Sequence, residues 1–266
     1  MNRAIRSLFA YRELIYNLAV RDLRLKYKRS TIGIAWSLLN PLLMMLVYTV
    51  VFSVWLRAVH TAPGHPYWVL VVGGLLAWTF FASAWGSAPG SFVHSSNLVS
   101  RVFFPVEALP IAGVLANFVN FLISLAILLV VLAVVRMPLG ASLALLPVIL
   151  IAQLAFTIGV SLLIATVTVY LRDLEHLIGI ALTALMYLTP VIYPLDPAAV
   201  PAIGKWIPYL RLNPLSWFLD SYHAVLFYGT WPEPGEFTLM LAASLVALVA
   251  GYVVFLRLRA RLPEEV

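Results

Sequence analysis

The chain has 266 residues, of which 63% are apolar and 11% charged, with a formal net charge of +6 and no cysteine. A soluble domain of this size could not hide so much apolar surface in one core, so the excess belongs against lipid. Without cysteine, disulfide and thiol chemistry are excluded, and a nucleic-acid role is disfavoured because the basic residues flank the apolar segments.

Residues 1–33 form a cytoplasmic N-terminal segment. On a helix, Ile5, Leu8, Phe9, Tyr16, Ala19, Val20, Leu23 and Tyr27 share one face, and Arg3, Arg6, Asn17, Arg21, Arg24 and Lys28 share another. That is the pattern of an amphipathic helix lying in the membrane interface. Arg12 interrupts the apolar stripe and marks a bend or break. A plain basic flank that only sets topology gives the same pattern. No cleavable signal peptide is expected, because the first apolar block lies far in, behind a long basic segment, and is long enough to span.

A helix needs about 20 apolar residues to cross the hydrocarbon core. Six segments qualify: 34–56, 67–86, 108–135, 143–170, 177–193 and 237–256. The fifth is the shortest, and Pro190 near its end predicts a kink or an early stop. With both termini inside, the cytoplasmic segments hold Arg3, Arg6, Arg12, Arg21, Arg24, Lys26, Lys28, Arg29, Arg101, Arg172, Arg257, Arg259 and Arg261. The outside keeps Arg57, Arg136, Lys205 and Arg211. The positive-inside rule then fixes cytoplasmic termini, with residues 257–266 as a cytoplasmic tail. Contact with anionic lipid head groups follows from the same charges.

The inside loop from Ser87 to Leu109 is longer than a turn requires, and its run Ser95–Phe104, ended by Pro105, predicts a short helix across the membrane plane. The second inside connection is Arg172-Asp173-Leu174-Glu175-His176. Both read either as polar turns or as docking surfaces for a cytoplasmic partner. The outside segment 194–236 is rich in proline and carries two apolar runs, Val200–Tyr209 and Leu215–Tyr228, each too short to cross. Non-helical backbone at membrane depth is tolerated only where protein or a cavity covers it. The segment therefore reads as two short re-entrant helices before the last span, or as an external cap. The predicted fold is all-α: a polytopic membrane protein with a six-helix transmembrane domain over 34–256.

The chemistry that is missing narrows the function. No Walker A pattern occurs: Ala199 stands where Gly204-Lys205 would need a glycine, and Trp206 follows. His60, His65, His94, His176 and His223 are scattered over loops, have no metal-ligand spacing and read as surface or interface histidines. No charge sits in mid-span, against ion-coupled carriers. The spans hold neutral polar and aromatic groups instead: Asn40, Tyr48, Asn117, Asn120, Gln153, Thr157, Ser161, Thr183 and Tyr187. Hydrogen bonds between helices account for such groups, and so does a polar, aromatic-lined path suited to a sugar chain, with Tyr48, Phe52, Asn117, Asn120 and Tyr187 as its candidates. Trp55, Tyr67, Trp68, Trp78 and Trp85 near span ends read as an interfacial belt.

Several of these motifs, taken in order, resemble the transmembrane subunit of the ABC-2-type polysaccharide exporters, the permeases for O-antigen, capsule and teichoic acid. They are Arg21-Asp22-Leu23, Lys26-Tyr27-Lys28-Arg29-Ser30, Gly33, Trp36 and Pro41, then Asn97-Leu98-Val99, Phe104-Pro105 and Leu109-Pro110. Tyr170-Leu171-Arg172-Asp173-Leu174, Thr189-Pro190-Val191-Ile192-Tyr193 and Asn213-Pro214 follow. Thr189 stands where that family leads one to expect Ser. The resemblance implies a non-enzymatic permease for a polymer on a polyprenyl pyrophosphate carrier, working as two copies with two copies of a separate ABC ATPase. ATP and Mg would then lie on the partner, with no cofactor in this chain, in a bacterial cytoplasmic membrane. It implies ATPase coupling through Asn97, Phe103, Phe104, Pro105, Glu107, Arg172, Asp173 and Glu175, and pyrophosphate contact by Arg21, Arg24, Lys28 and Arg29, cations that suit phosphate. Between polymers the reading leans to a teichoic acid over an O-antigen, without physical warrant. The rivals are an ABC-2 exporter of drugs or lipids and an integral-membrane lipid-modifying enzyme.

Overall fold

A computed structural model describes residues 11–27, 66–93, 106–137, 139–196 and 204–259, with isolated positions between 36 and 51. Among the described residues every regular element is helical. They are α1 (Arg12–Tyr27), α2 (Tyr67–Ser87), α3 (Gly90–Val93), α4 (Ala108–Val134), α5 (Leu146–Tyr170), α6 (Leu174–Leu188), α7 (Ile207–Leu210), α8 (Pro214–Tyr222) and α9 (Pro234–Leu258). A 3-10 turn, Ala141–Leu145, leads into α5, and a π-helical stretch, His223–Tyr228, extends α8.

Among the described residues, four helices are long and apolar enough to cross a membrane: α2, α4, α9 and the continuous stretch Ala141–Tyr170. Their ends lie within a few residues of the expected spans. The expected first span, 34–56, lies outside the described residues apart from isolated positions. The expected fifth span starts earlier and stops sooner, as α6. Its 15 residues reach about 22 Å at 1.5 Å per residue, short of a hydrocarbon core of about 30 Å. The stop has a local cause: Thr189 is extended (φ −114°, ψ 141°) ahead of Pro190, as the steric demand of the following ring requires.

Helix starts follow from sequence. Pro147, Pro214 and Pro234 occupy first-turn positions of α5, α8 and α9, where a missing N–H costs nothing. Helix α2 is the centre of the packing, with Val69, Leu70, Val71, Ala77 and Phe81 fully buried. It is packed by α4, α5, α6, α8 and the π-helical stretch. An aromatic stack joins these elements: Phe81 lies 5.5 Å from Phe218 and 6.0 Å from Phe156, and Phe156 lies 5.2 Å from Phe218. Trp78 and Trp85 are buried with it rather than set in a belt.

Helices α5 and α9 form the most extensive helix pair. A Cβ on Gly251 would lie 1.9 Å from the Gly159 carbonyl oxygen, and one on Gly159 would lie 2.3 Å from that of Ala247. The backbones touch directly, the approach that small residues permit between helices in lipid. Helix α1 begins at Arg12, the residue expected to break the stripe, and packs on α4 through Ile15, Leu18 and Ala19 while Tyr16 is exposed. Residues 1–10, with the apolar positions expected there, lie outside the described residues.

Candidate functional site

The described part of the proline-rich segment after α6 is built on α2. Asn213 caps α8, its Oδ1 accepting from the Leu215 backbone N–H at 3.1 Å. Its Nδ2 reaches back to Thr189 Oγ1 at 2.8 Å and to the Leu188 carbonyl at 3.3 Å. One side chain thus starts α8 and fixes the end of α6. The Tyr67 hydroxyl, at the start of α2, donates to the Ile192 carbonyl in the same strand of chain. Ser216 Oγ donates to the Leu210 carbonyl at 2.7 Å, folding α7 onto α8.

Of the two expected short helices, the second is present as α8 with its π-helical extension, over most of the run Leu215–Tyr228. Of the first run, residues 204–209 are described; they form a turn and the four-residue α7. The π-helical stretch ends at Gly229 in the left-handed region (φ 64°). Its carbonyl lies so close to Gly140 that a Cβ there would meet it at 2.1 Å.

At the inner end of α8 a polar link crosses the apolar core. The Tyr222 hydroxyl donates to Gln153 Oε1 at 2.5 Å, and Gln153 Nε2 donates to the Ala77 carbonyl at 3.0 Å. Both side chains are at most 1% exposed. Phe121 stands edge-on to Tyr222 at 6.2 Å. The next residue, His223, was expected at a surface or interface and is instead buried. Its ring bonds the Leu70 backbone and is pushed down to about 4 by burial, so it is neutral. Gly74 makes room for it: a Cβ there would lie 3.0 Å from His223 Nε2 and 2.2 Å from the Val191 carbonyl.

At the other end of the segment Arg211 Nε meets Glu236 Oε1 at 3.2 Å. Asp220, half-buried on α8, has its carboxyl pushed up to about 7. Burial is the main cause, Glu236 and Glu233 add to it, and Arg211 opposes it. Trp206, Tyr209 and Trp231 on this segment are exposed, and the first two rings lie 6.0 Å apart.

The sequence-derived candidates are placed as follows. Arg21 lies on α1 and pairs with its neighbour Asp22 at 2.9 Å, so part of its charge is already neutralised. Arg24 is on the same helix, and its side chain, with Lys28 and Arg29, lies outside the described residues. So do Tyr48 and Phe52, and so do Asn97, Phe103, Phe104 and Pro105. Asn117 Nδ2 donates to the Gly113 carbonyl of its own helix at 3.0 Å, and Asn120 is half-buried one turn away. Tyr187 is 67% exposed on α6, a helix that packs chiefly on α2 and α5. Arg172, Asp173 and Glu175 are exposed at the turn that opens α6, open to a partner. Glu107 is 4% exposed at the start of α4, so its part in any coupling is exerted through the fold.

Links between helices are one reading of the neutral polar groups of the spans; of those groups, Asn117, Thr157 and Thr183 bond within their own helix instead. Thr157, Thr166, Thr168, Thr183, Ser124 and Ser244 each bond the carbonyl four residues back on their own helix. A hydroxyl needs only one nearby carbonyl, and its own helix offers the nearest. Gln153 has the reach and the two-sided amide to cross. Neither Tyr222 nor the backbone contact at Gly159 was singled out from sequence. The spacing Ser244, Ala247, Gly251 carried a signal for the latter.

Comparison with known proteins adds a family and relatives. The model of the ABC-2 type transporter family matches residues 13–227. An O-antigen export system permease protein RfbA from Myxococcus xanthus is 33% identical over 267 residues, covering 100% of both chains. Two Klebsiella pneumoniae proteins of the same name are 28% and 27% identical over 253 residues, covering 95% of this chain and 94% of theirs.

Proposed function

The chain belongs to the ABC-2 type transporter family, and from that premise we propose that it is the permease subunit of an ATP-driven exporter carrying a lipid-linked polysaccharide of O-antigen type across the cytoplasmic membrane. It is a transport subunit, not an enzyme, and an ATPase partner supplies the energy. The observation that carries the substrate is the end-to-end similarity to a protein named as an O-antigen export permease. That name favours O-antigen over the teichoic acid to which the sequence leaned.

The working unit is two copies of this chain with two copies of the ATPase, which binds the ATP and Mg. The chain crosses six times, the segment 34–56 and α6 completing the four long helices. Both termini lie inside, as the basic inner segments require. Helix α8 with its π-helical extension is re-entrant, a reading supported by its Tyr222 end, which is buried among α2, α4 and α5. The exposed turn Arg172–Glu175 and the loop around Phe103-Phe104-Pro105 couple to the ATPase. Arg24, Lys28 and Arg29 meet the carrier's pyrophosphate, and Tyr48, Phe52, Asn117, Asn120 and Tyr187 border the path.

The test is ATP hydrolysis by the reconstituted complex of this chain with its ATPase. Stimulation by a polyprenyl-pyrophosphate-linked glycan is expected. Stimulation by small hydrophobic drugs and not by the glycan would overturn the reading in favour of a drug exporter.

A further inference from the structure

The link Tyr222–Gln153–Ala77 sits where an apolar contact would be cheaper. Phe121 stands edge-on to Tyr222, the buried Phe81, Phe156 and Phe218 lie one helical turn from Ala77, Gln153 and Tyr222 in sequence, and both side chains of the link are shielded from water. Inside a bilayer, apolar packing alone fixes a short helix poorly, because lipid tails are as apolar as the protein surface they would replace. Two directional bonds do what packing does not. The Gln153 amide both donates and accepts, so one side chain sets α8 against the Ala77 carbonyl of α2 and against α5 at once. A slip of α8 by one residue would break the Tyr222 bond and strand the hydroxyl in an apolar site.

We propose that Gln153 is the positioning residue that sets the depth of α8 and holds the outer end of the permeation path closed, with the Tyr222 hydroxyl as the bond released when it opens. This rests on the reading of the chain as an exporter with a re-entrant outer segment. The bond suits a reversible catch. It is neutral, so opening it leaves no charge in the core, and its Tyr222 end lies at the junction with the π-helical stretch. Extra-wide turns of this kind are frequent at functional sites.

A purely structural link makes a different forecast. If both partners are replaced by apolar groups of similar shape, stability is nearly restored, and a mere structural tie would then leave the closed state intact. A catch would not. Because the chain has no cysteine, Leu219→Cys, at a fully buried site one turn from Tyr222, gives this chain a single reporter thiol, followed on its own band in the complete complex with its ATPase. The probe is a membrane-impermeant maleimide applied outside liposomes of phosphatidylethanolamine and phosphatidylglycerol, without ATP.

With Gln153→Met and Tyr222→Phe together, the thiol should react about fivefold to tenfold faster than in Leu219→Cys alone, the population shift expected for one lost hydrogen bond, at an unchanged melting temperature. An unchanged labelling rate in the folded double variant overturns the proposal. Should the double variant fail to assemble, Tyr222→Phe alone, which removes one oxygen atom, is read beside its melting temperature: faster labelling at an unchanged melting temperature supports the catch, and an unchanged rate, or faster labelling that only follows a lowered melting temperature, overturns it. Labelling does not depend on the polymer. Loss of glycan-stimulated ATP hydrolysis in the parent would therefore sink the exporter reading while leaving this test standing.

Discussion

Asn213 and Thr189, 24 residues apart, are joined by a hydrogen bond of 2.8 Å from Nδ2 to Oγ1. The bond ties the end of α6 to the start of α8, so the two proline-marked corners, Thr189-Pro190 and Asn213-Pro214, form one joint. Thr189 is fully buried, which leaves its hydroxyl with no water to turn to.

Asn213→Ala removes both the cap and the tie. A lost cap costs about 1 kcal/mol and a buried neutral hydrogen bond about another 1 kcal/mol. Thermal unfolding of the purified complex should fall accordingly, and export with it. Thr189→Ser keeps the oxygen and should behave like the parent, whereas Thr189→Val keeps the shape and the cap, loses the bond and should show about half of the Asn213→Ala loss. Equal behaviour of the Ser and Val variants would show that the hydroxyl is idle.

The contact of Gly251 with Gly159 makes a sharp prediction about size. Gly251→Ala inserts a methyl group where the Gly159 carbonyl already lies, so α5 and α9 must separate, at an overpacking cost of about 1–3 kcal/mol. Gly113→Ala and Gly179→Ala meet nothing within 4 Å and should be neutral or slightly stabilising, since alanine favours the helix. The ordering of melting temperatures across the three variants is the readout.

The long helices were legible because a run of about 20 apolar residues has few other fates in a membrane protein. The expected 67–86 and 108–135 differ from α2 and α4 by one residue at an end. The joint Asn213–Thr189 and the link Gln153–Tyr222 were not legible as pairs, although Asn213, Thr189 and Gln153 were noticed singly. Which polar groups meet across 24 or 69 residues is decided by tertiary packing, and no local spacing encodes it. The same holds for His223: its burial depends on Gly74, a glycine on a helix more than a hundred residues earlier.

Burial of Asp220 predicts a stability that depends on pH. Its folded value, about 7, is above the unfolded value of about 4, so the folded state holds an extra proton between those limits and stability falls as pH rises through that window. The charged carboxylate is disfavoured in the folded state above about 7; the disadvantage fades as pH falls through 7 and is gone below about 4. The melting temperature of the complex should therefore drop between about pH 4 and pH 7 more in the parent than in Asp220→Asn, and the two should run parallel above that window. A parallel drop in both would assign the pH dependence elsewhere.

The turn that opens α6 should separate binding from folding. Arg172, Asp173 and Glu175 are exposed, so reversing Arg172 and Glu175 together should leave the chain stable and weaken its co-purification with the ATPase. Disturbing Phe103-Phe104-Pro105 should uncouple ATP hydrolysis from transport with the ATPase still bound. Unchanged ATPase binding and export in both variants would remove these loops from the mechanism.

The basic cluster before the first span raises the question of anchor or receptor. Arg21 already shares its charge with Asp22, so the test falls on Arg24, Lys28 and Arg29. Reversing all three should lower export well below the amount of protein inserted, because a pyrophosphate needs several cations converging at one place, whereas orientation needs only a surplus of positive charge on the inner side. In the proposed orientation that surplus survives the change, because Arg12, Arg172, Arg257 and Arg259 are untouched. Quantifying membrane-inserted chain beside surface polysaccharide separates the two roles. Export that falls only in step with insertion would make the cluster topogenic. Export lost at constant insertion, with ATP hydrolysis no longer stimulated by the lipid-linked glycan, would place the carrier's phosphates on these residues.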